Sequence, residues 1–280
     1  MRLLVFGATG QLAVALRASA PDALFLNRDA ADLTAPETCA AAIHAAKPSV
    51  VINAAAYTAV DRAEEEEALA TVINAAAPGA MARACAEASI PFLHVSTDYV
   101  FDGGGQRPWR PEDPTSPLNA YGRSKAAGEA AVRAAGGPHA ILRTSWVFSA
   151  TGRNFVTAML ELARKRDQLN VVDDQIGGPT SARAIGEALL KMAEAMIAGQ
   201  DGGTYHFAGA PFVSWKSFAR ETFACSGQNV AVSGIPTSQY PTAAQRPLNS
   251  RLDCTSLEAD FGIRPPDWRA ELAAVVEELI

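Results

Sequence analysis

Leu3-Leu4-Val5-Phe6-Gly7-Ala8-Thr9-Gly10-Gln11-Leu12-Ala13 decides the fold. The four apolar residues read as a buried strand and the two glycines as a tight turn. Gln11 to Ala20 reads as a helix stopped at Pro21. A strand, glycine turn and helix in this order bring backbone N–H groups and a helix N-terminus to a pyrophosphate. The spacing is GxxGxxA rather than GxGxxG, and Ala13 still permits close packing of helix on sheet. The turn that begins at Gly7 is therefore expected on a dinucleotide.

Working outward, the first half repeats the alternation. Strands are expected at Leu24 to Leu26, Val50 to Asn53, Phe92 to Ser96 and Ala140 to Thr144. Helices are expected at Pro36 to Ala46, Glu64 to Ala88 (interrupted at Pro78-Gly79) and Tyr121 to Ala135. Alternation of this kind implies right-handed crossovers and an α/β fold, a Rossmann-type doubly wound parallel sheet. The second half loses the rhythm. Phe155 to Lys165, Ala182 to Ala198, Ser214 to Phe223 and Trp268 to Leu279 read as helices. Tyr205 to Ala208 reads as a short strand returning to the main sheet. The expected division is a dinucleotide-binding domain over 1–148, with 181–208 returning to it. A smaller, partly interleaved C-terminal substrate domain is expected over 149–180 and 209–280.

The chain has 280 residues, 49% hydrophobic and 19% charged, with a net charge of −6. That composition suits a compact core and argues against disorder. The charge argues against a nucleic-acid binder, which needs a clustered basic face. Cys39, Cys85, Cys225 and Cys254 show no metal-ligand spacing, so no metal site or disulfide framework is expected. No apolar run suits a signal peptide or a membrane span, and a cytoplasmic enzyme is the expectation.

The end of the second strand, Asn27-Arg28-Asp29, should choose the cofactor. Arg accommodates a 2′-phosphate, whereas an acidic residue binds the free ribose hydroxyl. Arg28 favours NADPH; Asp29 beside it leaves NADH possible. Asp32 and Leu33 either flank the adenine or form a surface loop. Further on, Tyr121-Gly122-Arg123-Ser124-Lys125 is a YxxxK pair, whose ends share a helix face. An ammonium near a phenol favours its anion, and a tuned phenol donates a proton to a carbonyl oxygen as hydride arrives. Ser96-Thr97, at a strand end, supplies a hydroxyl to polarise that carbonyl.

With these residues together, the chain resembles the extended short-chain dehydrogenase/reductases and, more narrowly, the dTDP-4-dehydrorhamnose reductases. The matching segments are Asn53 to Asp61, Ser96 to Phe101, Pro117 to Gly122, Arg143 to Phe148, Asp174 to Thr180 and Arg246 to Leu252. The resemblance implies NADPH-dependent reduction of the C4 ketone of dTDP-4-dehydro-L-rhamnose to dTDP-L-rhamnose, a surface-polysaccharide precursor. It implies Tyr121 as proton donor, Lys125 as its partner and ribose anchor, and Thr97 as the hydroxyl on the substrate oxygen. Gly10, Gln11 and Leu12 would lie on the pyrophosphate, and Ala56, Tyr57 and Thr58 would line the cofactor near its ribose and nicotinamide. Asp98 and Trp146 would contact the deoxysugar, whose apolar face suits an indole. Arg246, Asn249, Ser250 and Arg251 would hold the nucleotide diphosphate or, equally, form a polar loop stapling the two halves.

Some family members are described as dimers bridged by Mg²⁺ on two glutamates. The aligned positions here are Ala15 and Arg183, so no Mg²⁺ bridge is expected, only a monomer or a metal-free homodimer. Two other readings stay open. One is a sugar-nucleotide epimerase or dehydratase, although Tyr99 stands where dehydratases carry a second carboxylate. The other is an NADP-binding regulatory subunit resembling the methionine adenosyltransferase β subunit. His94 is expected to be a packed core residue without chemistry. Glu64 to Glu67 is expected to be a solvated helix start, and Gly103 to Gly105 either a lid or a turn.

Overall fold

Residues 1–280 are described by a computed structural model. Five strands, β1 (Leu3–Phe6), β2 (Leu24–Leu26), β3 (Val50–Asn53), β4 (Phe92–Thr97) and β5 (His139–Thr144), lie in one parallel sheet. The segment Gly203–His206 adds a sixth strand, parallel to β5. The strand order is β2-β1-β3-β4-β5 followed by Gly203–His206. The chain reverses direction across the sheet between β1 and β3. In doubly wound sheets that crevice, outside the carboxyl ends of the strands, is where ligands bind. β1 and β3 are buried along their whole length, as strands covered on both faces must be.

The helices of the first half are α1 (Gln11–Ser19), α2 (Pro36–Ala46), α3 (Glu67–Thr71), α4 (Ala77–Glu87) and α5 (Ala120–Ala134). Those of the second half are α6 (Phe155–Ala163), α7 (Ala182–Ile197), α8 (Trp215–Cys225), α9 (Thr255–Phe261) and α10 (Trp268–Leu279). Leu16 of α1 and Ile185 and Leu189 of α7 pack with Val5, Ile52 and Leu93 on one face of the sheet. Ile43, Met81 and Val132, from α2, α4 and α5, pack with Leu4, Val51 and Ile141 on the other. A separate core of Phe148, Val156, Phe218, Trp268 and Leu272 holds α6, α8 and α10 together. No helix is long and apolar enough to cross a membrane.

The helix expected over Glu64 to Ala88 is broken elsewhere than at Pro78-Gly79. It begins as a 3₁₀ turn at Arg62–Glu64 and passes through a π-helical turn at Val72–Ala76. Pro78 sits in the first turn of α4, where a missing N–H costs little. The wide turn has a packing consequence. Asn74 is buried, and its backbone oxygen would lie 2.0 Å from a Cβ placed on Gly128 of α5. Glycine alone permits that approach. Gly128→Ala should lower stability by about 1–3 kcal/mol, because the clash outweighs the better helix propensity of Ala. A urea melt with a reduced midpoint and unchanged slope would show this; an unchanged midpoint would refute it.

Two strands of the second half carried no usable sequence signal. Gln168–Val172 pairs in parallel with Ala231–Ile235. The latter contains Gly234 and is largely solvent-facing, so neither run nor alternation marks it. The Gly103 to Gly105 turn is anchored: the Asn249 N–H donates to the Gly103 carbonyl (2.9 Å), and Asn249 Nδ2 donates to the Gly104 carbonyl (3.2 Å).

Candidate active site

β1, β3 and β4 all end on the same edge of the sheet, and the residues just beyond them form the site. After β1, Gly7 adopts a φ of +107°, and Gly10 begins α1 without any side-chain cap. No atom lies within 4 Å of a Cβ built on Gly10, so the turn is open above the free N–H groups of the first helical turn. No acidic residue stands in that turn. Uncapped amides and open space are what a pyrophosphate needs, so the residues present fit a dinucleotide. Gln11 is held by Ser149 and Asn154, whose Oγ and Nδ2 donate to its Oε1 at 2.8 and 3.0 Å.

After β2, Asn27 Nδ2 donates to Asp29 Oδ2 at 3.3 Å, and Asn27 Oδ1 accepts from the Ala30 N–H. Arg28 is exposed and makes no ion pair. A free guanidinium beside an occupied carboxylate suits a 2′-phosphate. Asp32 accepts from the Thr34 N–H at 2.9 Å, which holds its carboxyl below the usual range, and Leu33 lies half-buried beside it. After β3, the Ala56-Tyr57-Thr58 segment is clipped down by Asn74. Its Oδ1 accepts from the Tyr57 N–H (2.8 Å), while Nδ2 donates to the Tyr57 carbonyl (3.0 Å) and to Ser124 Oγ (2.9 Å). The Tyr57 phenol donates to Glu66.

Thr97 ends β4 and Asp98 follows it, with Tyr121 facing them from α5. The first turn of α5 is capped by Asn119, whose Oδ1 accepts from the Gly122 N–H at 2.8 Å. A Cβ on Gly122 would lie 2.2 Å from the Tyr99 carbonyl, so only glycine lets the helix start this close to β4. Burial pushes the Tyr121 phenol up to about 12, while the Thr97 hydroxyl draws it down. Thr97 Oγ1 donates to Asp98 Oδ1 at 3.0 Å. Asp98 is buried and its Oδ2 has no hydrogen-bond partner. Burial raises this carboxyl to about 6, against the Ser250 and Thr97 hydroxyls, which lower it.

Lys125 departs from expectation. Its Nζ donates to the Val95 carbonyl at 2.7 Å and lies 3.3 Å from His94 Nε2; no hydrogen bond joins it to the Tyr121 phenol. The i, i+4 spacing did put both residues on one face, but β4 also presents polar atoms to that face, and the amine takes those. Burial lowers Lys125 to about 8, with Glu129 pulling the other way. His94 is buried in the core as expected, and both its ring nitrogens have polar neighbours there. Its other nitrogen, Nδ1, lies 3.2 Å from Asn53 Nδ2.

Behind the pocket, Glu129 is fully buried, one helical turn beyond Lys125. Arg143 grips it with two bonds of 2.8 and 2.7 Å, and Ser96 Oγ donates a third at 2.7 Å. Sequence reasoning missed this pair; the only signal was an i, i+4, i+8 series of polar residues at 121, 125 and 129.

The outer wall is aromatic. Trp146, half-buried with a φ of +51°, stacks on Trp215 with centroids 3.5 Å apart. One face of Trp146 is therefore already covered by Trp215, which was not foreseen. Arg246 Nη2 pairs with Asp61 at 2.7 Å, and its buried Nη1 has no partner. Asn249 uses its Nδ2 on the Gly104 and Arg107 carbonyls, and its Oδ1 accepts from Arg251 Nη1 at 2.9 Å. It therefore staples two loops and has no group left for a diphosphate. Arg183 pairs with Glu271 at 2.8 Å.

The family model described as the RmlD substrate binding domain matches residues 1–280. A dTDP-4-dehydrorhamnose reductase of Sinorhizobium fredii is 45% identical over 290 residues, covering 100% of this chain and 98% of that protein. The crystal structure of a dTDP-4-dehydrorhamnose reductase from Clostridium acetobutylicum superposes with a TM-score of 0.94 at 34% identity, covering 100% and 99% of the two chains. The Bacillus anthracis dTDP-4-dehydrorhamnose reductase, solved in complex with NADP, gives 0.92 at 32% identity, with 99% of each chain covered.

Proposed function

The chain belongs to the family of the RmlD substrate binding domain, the dTDP-4-dehydrorhamnose reductases, and from that premise we propose how its residues work. It is an NADPH-dependent oxidoreductase that reduces the C4 ketone of dTDP-4-dehydro-L-rhamnose to dTDP-L-rhamnose. One observation carries the assignment of roles. Thr97 and Tyr121 meet at the carboxyl end of β4, two strands from the open glycine turn that follows β1, and Lys125 holds the Val95 carbonyl of the same strand.

NADPH, when bound, supplies the hydride for C4. Tyr121 donates the proton to the C4 oxygen, and Thr97 holds that oxygen in place by hydrogen bonding. Gly7, Gly10, Gln11 and Leu12 take the pyrophosphate, and Arg28 the 2′-phosphate. The Ala56-Tyr57-Thr58 segment lines the cofactor. Asp98, with its free Oδ2, and Ser250 accept and donate hydrogen bonds to the sugar. Trp146, backed by Trp215, offers its remaining face to the deoxysugar. Arg246 Nη1 is available to the diphosphate.

The division into a dinucleotide-binding part (1–148 with 181–208) and a substrate part belongs to the same proposal, as does action in the cytoplasm. It is supported by α7 packing on α1 and by the separate core under α6, α8 and α10. Arg183, a cation engaged with Glu271, is unsuited to a metal bridge between copies, so any dimer would form without one.

The test is NADPH oxidation with enzymatically prepared dTDP-4-dehydro-L-rhamnose. Turnover to dTDP-L-rhamnose is expected. Tight NADP binding without turnover would overturn the reading and favour a regulatory subunit.

A further inference from the structure

His94 and Asn53, neither of which the proposed reaction uses, join Lys125 in a buried polar chain. Their exposures are 0%, 1% and 2%. The hydrogen positions follow from the bonding. The Ala55 N–H donates to Asn53 Oδ1 at 3.1 Å, which fixes the orientation of the Asn53 amide. Its NH₂ group then faces His94 Nδ1 at 3.2 Å and must donate to it. A neutral imidazole carries one N–H. With Nδ1 accepting, that proton sits on Nε2, directed at Lys125 Nζ 3.3 Å away. An ammonium there would meet a donor with a donor. An uncharged amine would accept from Nε2–H through its lone pair, while still donating to the Val95 carbonyl at 2.7 Å.

The geometry points to His94 as a positioning residue that biases Lys125 toward the uncharged amine in the empty site, a bias lifted when the cofactor draws the side chain away. The surroundings agree. The titratable groups facing the amine are His94 from β4, Tyr121 one turn before on α5, and Glu129 one turn after. Glu129 is already neutralised by Arg143 from β5, and Asn53 from β3 is uncharged. Burial lowers Lys125 to about 8, so the amine becomes the main form only above that pH, and burial holds His94 well below its usual range, hence neutral. The charging step takes one proton from solvent, forming the third N–H bond of the ammonium; no bond to carbon changes. The dependence on the cofactor rests on Lys125 anchoring its ribose, as the family resemblance implies.

The experiment is nitrogen-15 NMR on the ligand-free protein, with cofactor binding followed calorimetrically in two buffers of different ionisation enthalpy. The expected spectrum has His94 Nδ1 unprotonated and Nε2 protonated. Lys125 should titrate about one pH unit higher in His94→Leu, which lacks the donor, and return in His94→Gln, which keeps an N–H. At a pH of about 9, NADPH binding should take up close to one proton in the wild type and markedly less in His94→Leu. A proton on Nδ1, or a Lys125 titration indifferent to His94→Leu, would overturn the inference. The wild-type spectrum decides it even if the leucine variant does not fold. Failure of NADPH to bind would instead sink the cofactor assignment, leaving the tautomer and titration results to stand or fall separately.

Discussion

Tyr121→Phe should reduce kcat by roughly 10²–10⁴-fold while leaving NADPH affinity nearly unchanged. The magnitude is that of general-acid catalysis lost from a positioned side chain, or about 3–5 kcal/mol of barrier. The phenol holds its proton at neutral pH, and burial pushes it up to about 12, opposite to the lowering expected from the Lys125 ammonium. The substitution removes only the hydroxyl. The ring keeps its edge-to-face contact with Tyr99, at 5.5 Å between centroids, so the start of α5 should stay in place. Steady-state NADPH oxidation gives kcat, and a fluorescence titration gives cofactor affinity. Undiminished turnover in the variant would remove Tyr121 from its role as proton donor.

The second large effect is on stability. Arg143→Met should destabilise the protein by about 3–5 kcal/mol, the usual result of removing one partner of a buried ion pair. Burial pushes the Glu129 carboxyl up, but Arg143, Ser96 and Arg133 together bring it below its ordinary 4.5. Without Arg143 the carboxylate keeps only the Ser96 hydroxyl and the half-exposed Arg133. His206 Nε2 also loses its donor, at 3.3 Å, and Phe101 the guanidinium over its ring.

The pH dependence has a definite sign. In the wild type the carboxyl is depressed on folding, so its stabilising contribution is present above 4.5 and lost as the pH falls through the folded value. In the variant, desolvation dominates and the carboxyl is raised, so folding loses stability as the pH rises through the new value. The gap between the two proteins should therefore be widest near neutrality and narrow below pH 4.5. Chemical denaturation at neutral and acidic pH measures it; a gap independent of pH would exclude Glu129 as its source.

Much of the fold could be read from the sequence because it rests on local patterns. Leu3–Phe6 and Val50–Asn53 are short apolar runs closed by turn residues, and they became strands over the same residues. Trp268–Leu279 was likewise bounded correctly by its periodicity. Ala231–Ile235 failed because its pairing with Gln168–Val172 spans some sixty positions and leaves it half in solvent, so neither composition nor alternation records it. The π-helical turn at Val72–Ala76 failed for another reason. It packs closely against Gly128 of another helix, and no breaker in its own sequence marks it.

The same division runs through the site. By itself the sequence determined the glycine turn after β1, the arginine after β2, and the placing of Tyr121 and Lys125 on one helix face, because each depends on neighbours within a few residues. Only the tertiary structure decided what those groups touch. β4 slides under α5 and offers the Val95 carbonyl and His94 to Lys125 in place of the Tyr121 phenol. β5 delivers Arg143 to Glu129, Trp215 covers one face of Trp146, and two loops claim the amide of Asn249. Each is a bond between segments far apart in the chain. Its partner is set by which polar atoms remain unsatisfied once the strands and helices have packed, and a buried donor or acceptor must be satisfied by whatever the fold brings to it.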